Sequence, residues 1–276
     1  MPPQYHDQTF WNKRFEHETL FEWLGDGQIT MLPPLNDFLV QYKSHRDAVP
    51  EILHIGAGTS IFQEHVKNAL IQVYGRDVDC RKILNTDFSD MAVMKGRSAA
   101  ANSGAKSAMR WAKADLTKWE DMRNISSNTP GRFAMVLDKS TSDAVSCGPS
   151  MIMQAKPKSD VDPLVQEIWS RDSSNSNNGS CSVSPLELLA MNLAFCVEPG
   201  GIWIALSYSS DRFPFMRSSS LPMRSNEDSK SLDISSLWTI ESMIAIDAPS
   251  GQDKPGVHAP SVQHHLYTLR RTSTPL

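Results

Sequence analysis

The chain has 276 residues, a net charge of −4, 40% hydrophobic residues and 21% charged residues. That length suits a single α/β domain with a real core, and the lack of a basic excess argues against nucleic acid or an anionic membrane as partner. The polar stretch 1–8 has no apolar core of a secretory signal, and the best apolar run, 186–197, is interrupted by Glu187 and Asn192 and too short for a bilayer.

Cys80, Cys147, Cys181 and Cys196 are scattered with no Cys-x-x-Cys pair. They read as free thiols in a reducing, cytoplasmic setting rather than as a disulfide framework, and no metal site is expected.

In chain order, 51–55 (EILHI) is a short apolar run ending at Gly56 and reads as a buried strand. Ser60 and Gln63 have the spacing of a capping box, which predicts a helix running to about Tyr74 with Ile61, Val66, Leu70 and Val73 inward. A second strand is expected over 81–86, ending at Asp87, a weaker third over 109–112, and a fourth over 133–137 (FAMVL), ending at Asp138. The small-residue stretch 99–105 reads as a loop or a helix end. Ser184-Pro185-Leu186-Glu187 starts a helix through Phe195, and Pro199-Gly200-Gly201 hands over to a fifth strand, 202–208. Stretches 238–246 and 262–269 supply two more strands.

Alternation of strand and helix implies an α/β, Rossmann-like sheet, mostly parallel with an antiparallel last strand and helices on both faces. The single domain, 1–276, carries polar insertions at about 148–183 and 216–233, which are too rich in Ser, Asn and charge to bury much apolar surface. They read as surface insertions or as a substrate lid.

Four strand ends carry chemistry. After the first strand, Gly56-Ala57-Gly58 leads directly into a helix start, where glycine permits a tight turn and backbone N–H groups face a ligand; alone, such a turn can also be ligand-free. A dinucleotide fingerprint would require a third glycine where Ile61 stands, and a phosphate loop would require Gly-Lys-Ser/Thr, so the turn suits S-adenosyl-L-methionine, which has no pyrophosphate. Asp87 is placed to accept from both ribose hydroxyls, or to cap the next helix. Asp115, after the third strand, is either an adenine contact or a turn residue. Asp138-Lys139-Ser140-Thr141-Ser142-Asp143-Ala144 follows the fourth strand, either aimed at the cleft or a merely polar loop.

The set resembles the methyltransferase-like proteins related to the lysine methyltransferases of eukaryotic elongation factor 1A, which are class I S-adenosylmethionine-dependent enzymes. The resemblance rests on Phe10-Trp11-Asn12-Lys13-Arg14-Phe15, Phe21-Glu22-Trp23-Leu24, the glycine turn, Asp87-Phe88-Ser89, the 138–144 loop, Pro199-Gly200-Gly201 and His265-Leu266-Tyr267-Thr268-Leu269. It implies that Arg14 meets the methionine carboxylate and that Trp11 and Trp23 close the pocket; both Trp also suit the core face of a helix. It further implies that Gly56 and Gly58 form the floor, that Asp87 holds the ribose, that Asp115 and Leu116 meet the adenine, and that Leu137 and Asp138 lie by the methionine amino group. The chain departs from the pattern at His54, where many such enzymes carry an acid, and at Ser140 and Ser142, where the loop has Gly and an apolar residue.

Methyl transfer needs alignment above all, with a general base where the acceptor must lose a proton. Asp143 and Asp138 are the candidates for that base, and Tyr208 for the acceptor wall. No Asn-Pro-Pro-Tyr motif is present. The acceptor is either a small molecule, as in the fungal gliotoxin-type pathways where a diketopiperazine amide nitrogen is methylated, or a protein lysine. The altered loop and the long insertion favour the small molecule. A nicotinamide dehydrogenase is disfavoured by Ile61, and a non-catalytic binding module on the same fold is the alternative from another class.

Overall fold

A computed structural model of the chain describes residues 3–154, 180–217, 234–248 and 262–275. Seven strands form one sheet: β1 (Ile52–Ile55), β2 (Ile83–Asp87), β3 (Arg110–Lys113), β4 (Phe133–Lys139), β7 (Val197–Ser207), β8 (Trp238–Asp247) and β9 (Gln263–Arg271), in the order β3-β2-β1-β4-β7-β9-β8. All pairings from β3 to β7 are parallel, and β9 runs antiparallel between β7 and β8. The Rossmann-like, mostly parallel sheet with an antiparallel last strand is therefore as the sequence implied.

β1, β2 and β4 are buried along their whole length, which is why they read as continuous apolar runs. Side chains alternate between two cores. Leu53, Ile55, Val136, Trp203 and Ala205 pack under α5 (Trp119–Ser127) and α7 (Pro185–Cys196). Ile52, Met135, Leu137, Ile202 and Ile204 face α2 (Leu32–His45) and α3 (Phe62–Tyr74) on the other side.

Local signals explain several boundaries. The expected capping box at α7 forms: Ser184 Oγ accepts from Glu187 N at 3.2 Å, and Glu187 Oε2 accepts from Ser184 N at 2.8 Å. The one expected at α3 does not. Ser60 Oγ does accept from a backbone amide, Phe62 N at 3.1 Å, while donating to Glu22, but Gln63 does not reach back and its Oε1 has no partner among the described residues. Strand β7 starts at Val197, before the glycine pair that the sequence suggested as its boundary, because Val197 pairs with Phe133 and the register shifts at the next step.

The described part of the first insertion is a pair of strands. β5 (Met151–Gln154) and β6 (Ser180–Val183) pair antiparallel as a separate ribbon, and Val183 is buried. Residues 155–179 lie outside the described residues. The second insertion begins in a 3-10 turn, Pro214–Met216, with Met216 buried, and 218–233 also lie outside the described residues. Among the described residues no helix is long and apolar enough to cross a membrane.

Helix α4 (Asp90–Ala101) packs on β3 through Gly96, where an added Cβ would sit 2.2 Å from Trp111 Cε2. Alanine would gain about 1 kcal/mol of helix propensity and lose about 1–3 kcal/mol to overpacking. Gly96→Ala is therefore expected to lower stability by about 1 kcal/mol. Urea unfolding followed by tryptophan fluorescence checks this, and an unchanged midpoint would mean that the indole yields freely.

Candidate functional site

In the sheet order, β1 lies between β2 and β4: the chain builds outward from β1 through β2 to β3, then crosses back to place β4 on the other side of β1. Such switch points leave a crevice at the carboxyl ends of the strands. Here that crevice is a cavity of about 520 Å3, walled by the loops after β1, β2, β3, β4 and β7 and roofed by the N-terminal segment, with Tyr5, Trp11, Phe21 and Trp23.

The β1 turn is built by close approach. Gly56 and Gly58 have φ of +55° and +54°. A Cβ on Gly56 would lie 2.1 Å from Thr141 Oγ1, which donates to the Ile55 carbonyl at 2.9 Å. Glycine here lets two strand-end loops touch.

Asp87 locks that turn. Its Oδ2 accepts from Gly58 N and its Oδ1 from Ser89 N, each at 2.8 Å. Burial raises its pKa to about 6, although these backbone donors favour the ionised form. Helix α4 is capped by Ser89 rather than by Asp87. Beyond β3, Asp115 Oδ1 accepts from Thr117 N and Oγ1, at 3.1 and 2.6 Å, and Leu116 lies beside it on the wall.

At the end of β4, strand alternation separates the sequence-derived candidates. Leu137 is fully buried in the core against α3 and α2. Asp138 is also fully buried: Oδ1 accepts from Thr141 N at 2.7 Å and Ser142 N at 3.1 Å, and Oδ2 from Trp203 Nε1 at 3.3 Å. It caps α6 (Thr141–Ser146), with a pKa raised by burial to about 7. Neither residue lines the cavity, which β4 reaches only at Lys139. Ser140 then takes φ +67°, the left-handed geometry that glycine adopts without penalty, and its hydroxyl donates to Asp143.

Lys139 is the hub of the roof. Its side chain is 5% exposed, and Nζ donates to Glu22 Oε2 at 2.7 Å, Gly25 O at 2.8 Å and Trp23 O at 3.0 Å. Glu22 in turn accepts from Ser60 Oγ at 2.7 Å and from Ile61 N at 2.6 Å, doing for α3 what the expected capping box would have done. Trp23 packs edge-on to Tyr208 across the cavity, with ring centroids 6.1 Å apart.

Asp143 lies on the wall with its oxygens occupied. Ser207 Oγ donates to Oδ1 at 2.6 Å, Tyr208 N donates to Oδ2 at 3.2 Å, and Arg212 pairs with Oδ1 at 2.5 Å.

The structure thus brings Trp11, Trp23, Gly56, Gly58, Asp87, Asp115, Leu116 and Asp143 to one cavity. Arg14 is not on that wall: it ion-pairs with Glu18 and lays its guanidinium 3.8 Å over the Phe21 ring, partners one helical turn and one loop away. His54 is buried and bonded to Asn85 Oδ1 at 2.9 Å, and burial lowers its pKa to about 4, so it is a neutral core residue. Glu22, Lys139 and Arg212 had no assigned role in the sequence reading. Glu22 and Lys139 lie inside quoted motifs, whereas nothing in the local pattern marks Arg212.

Lys139→Met should strip the charge partner from Glu22 and free the roof. The expected loss lies near 2 kcal/mol, between about 1 kcal/mol for an exposed pair and about 3–5 kcal/mol for a fully buried one, because Glu22 is 22% exposed. Urea unfolding and trypsin cleavage after Lys13 or Arg14 report the two effects, and unchanged cleavage would remove Lys139 as the roof anchor.

No family model matches the chain. A protein named methyltransferase srdJ from Neurospora crassa is 35% identical over 145 residues, which is 52% of this chain and 55% of that one, so the match spans about half the length of the curated relative. A solved SAM-dependent methyltransferase from Anabaena variabilis superposes with a TM-score of 0.52 at 14% identity, covering 96% of this chain and 93% of that one. The sheet order, the switch-point cavity and this likeness together give the chain the fold of the class I S-adenosylmethionine-dependent methyltransferases.

Proposed function

We propose that the chain is an S-adenosylmethionine-dependent methyltransferase whose acceptor is a small natural product, a diketopiperazine-type amide nitrogen in a fungal secondary-metabolite pathway. The observation that carries the cofactor reading is the Asp87 carboxylate fastened to the Gly58 amide at the switch point. The named relative from Neurospora crassa supports methyl transfer and the fungal setting.

The residues present fit that cofactor. A Cβ at Gly56 would fill the turn, Asp87 offers carboxylate lone pairs to a vicinal diol, and Asp115 and Leu116 pair a polar acceptor with an apolar surface suited to an adenine edge and face. Tyr5, Trp11 and Trp23 place aromatic rings on the same wall, and such rings stabilise a cation by about 0.5–2 kcal/mol. When bound, the cofactor would supply an electrophilic methyl group on a sulfonium, with the carbon–sulfur electron pair left on sulfur and the acceptor proton released to water.

The protein's part is alignment and exclusion of water, and orientation of this kind supplies up to about 7–11 kcal/mol. The Lys139–Glu22 pair holds Trp23 over the cavity, and the burial of Asp138 beneath the wall and the filled hydrogen-bonding capacity of Asp143 make them positioning groups. A cavity near 520 Å3 falls in the range of about 300–1,000 Å3 typical of small-molecule sites.

Calorimetric titration with S-adenosylmethionine tests the reading. Asp87→Ala should weaken binding by about tenfold or more, or about 1.4 kcal/mol. Because the ligand takes the ionised carboxylate and protonation competes with it, wild-type affinity should be flat above about pH 7 and fall as pH drops through about 6. Binding of NADH in place of S-adenosylmethionine, or equal affinity in wild type and Asp87→Ala, would sink the assignment.

A further inference from the structure

We infer that Arg212 selects the acceptor, favouring a neutral group that gathers negative charge on oxygen as it loses its proton and disfavouring an ammonium. The inference rests on the methyltransferase reading above and specifies its second substrate.

The cavity has two chemically distinct halves. The ends of β1, β2 and β3 carry Gly56, Gly58, Asp87 and Asp115, while the ends of β4 and β7 carry Asp143, Tyr208 and Arg212. In the second half Asp143 is the only carboxylate on the described wall, and it is already engaged. Ser207 Oγ and Arg212 Nη2 meet Oδ1 at 2.6 and 2.5 Å, and Ser140 Oγ and Tyr208 N meet Oδ2 at 2.5 and 3.2 Å. A carboxylate has about four lone-pair sites, so none is left to take a proton or to hold an ammonium.

Arg212 is fixed but not saturated. Its backbone N donates to Tyr267 Oη at 3.2 Å and its Nε to Ser207 Oγ at 3.2 Å, and Nη2 is held by Asp143. Its Nη1 has no partner among the described residues, and the side chain is 15% exposed. The wall's remaining fixed cation, Lys139, has its three protons committed to Glu22, Trp23 and Gly25. The spare polar groups in this half are therefore a guanidinium donor, the Tyr208 hydroxyl and the His6 ring, and the guanidinium is the one with a fixed charge.

Such a donor is matched by an oxygen that becomes anionic during the reaction. An amide nitrogen becomes nucleophilic as its proton leaves to water and charge moves to the carbonyl oxygen, and a phenol does the same on its own oxygen. Prearranged donors aimed at developing oxyanions are worth about 10²–10³ in rate. A lysine ammonium meets the opposite situation: the Asp143–Arg212 pair offers it a donor where it needs an acceptor, and no carboxylate in this half is free to deprotonate it.

The test uses the full chain with S-adenosylhomocysteine and three probes, cyclo(Gly-Phe), 2-naphthol and phenethylamine. Affinity of each probe for the S-adenosylhomocysteine-loaded protein is measured by calorimetry, alongside labelled methyl transfer. The expected result is that cyclo(Gly-Phe) or 2-naphthol binds the wild type about tenfold or more tightly than phenethylamine. Arg212→Gln should erase that preference and leave S-adenosylhomocysteine affinity unchanged, and Arg212→Lys should keep part of it. Millimolar guanidinium should restore transfer in Arg212→Gln, a rescue that a purely structural role would not show.

Preference for cyclo(Gly-Phe) identifies the oxygen as an amide carbonyl, and preference for 2-naphthol as a phenolate; both support the role of Arg212. Preference for phenethylamine, binding of none of the probes, or unchanged selectivity in Arg212→Gln and Arg212→Lys overturns it. Loss of S-adenosylhomocysteine binding in the wild type brings down the methyltransferase reading itself, which separates the two failures.

Discussion

The site depends on one half-buried charge pair. Lys139, the last residue of β4, and Glu22, from the loop after α1 (Gln8–His17), join three parts of the chain that are far apart in sequence. Glu22 also completes the start of α3, and Lys139 also holds the carbonyls of Trp23 and Gly25. A lysine with a lowered pKa and little exposure is tolerated because each of its protons has an oxygen within 3.0 Å. The aromatic roof, the glycine turn and the β4 loop are thereby one mechanical unit, and the shape of the cavity follows from it.

The same side chain does different work at neighbouring strand ends. Asp87 sits on the cavity wall and uses both oxygens to brace a glycine turn and the next loop, whereas Asp138 lies beneath the surface and caps a short helix. Both carboxyl groups have raised pKa values, about 6 and about 7. The stability each contributes is full below the ordinary carboxyl value of 3.8 and is lost as pH rises through those raised values. At neutral pH the fold therefore bears a cost at Asp87, the oxygen acceptor on the wall, and at Asp138, the cap that sets the direction of α6. Ser140, with its left-handed backbone, is a smaller cost of the same kind. Its hydroxyl bonds to Asp143, and the loop keeps its course without a glycine.

Legibility followed the range of the physics. The buried parallel strands were visible because both faces need apolar residues over a few consecutive positions, as at 133–137. The start of α7 was visible because Ser184, Pro185 and Glu187 meet one another within a single turn. The start of α3 was legible only in part, for the complementary reason: Ser60 accepts from Phe62 N, but a carboxylate 39 residues upstream of Ile61 arrives in three dimensions and takes the place expected for Gln63. Of the candidate residues, those at the last position of a strand or just beyond it, such as Gly56, Gly58, Asp87 and Asp115, reached the cavity. Arg14, Leu137 and Asp138 did not, since Phe21 and Glu18 hold the first and the sheet's alternation buries the other two.

Taken by itself, the order of residues determined the alternation of strands and helices, the glycine turn, and an acidic residue at successive strand ends. Each depends on neighbours within a few positions, where backbone sterics and periodic burial decide. Tertiary structure alone decided which of those acids line the cavity, which are caps, and which cation keeps a free donor. Hydrogen-bond capacity is consumed by partners such as Ser207 and Tyr208 for Asp143, or Trp203 for Asp138, residues that lie more than sixty positions away and meet them only across the sheet.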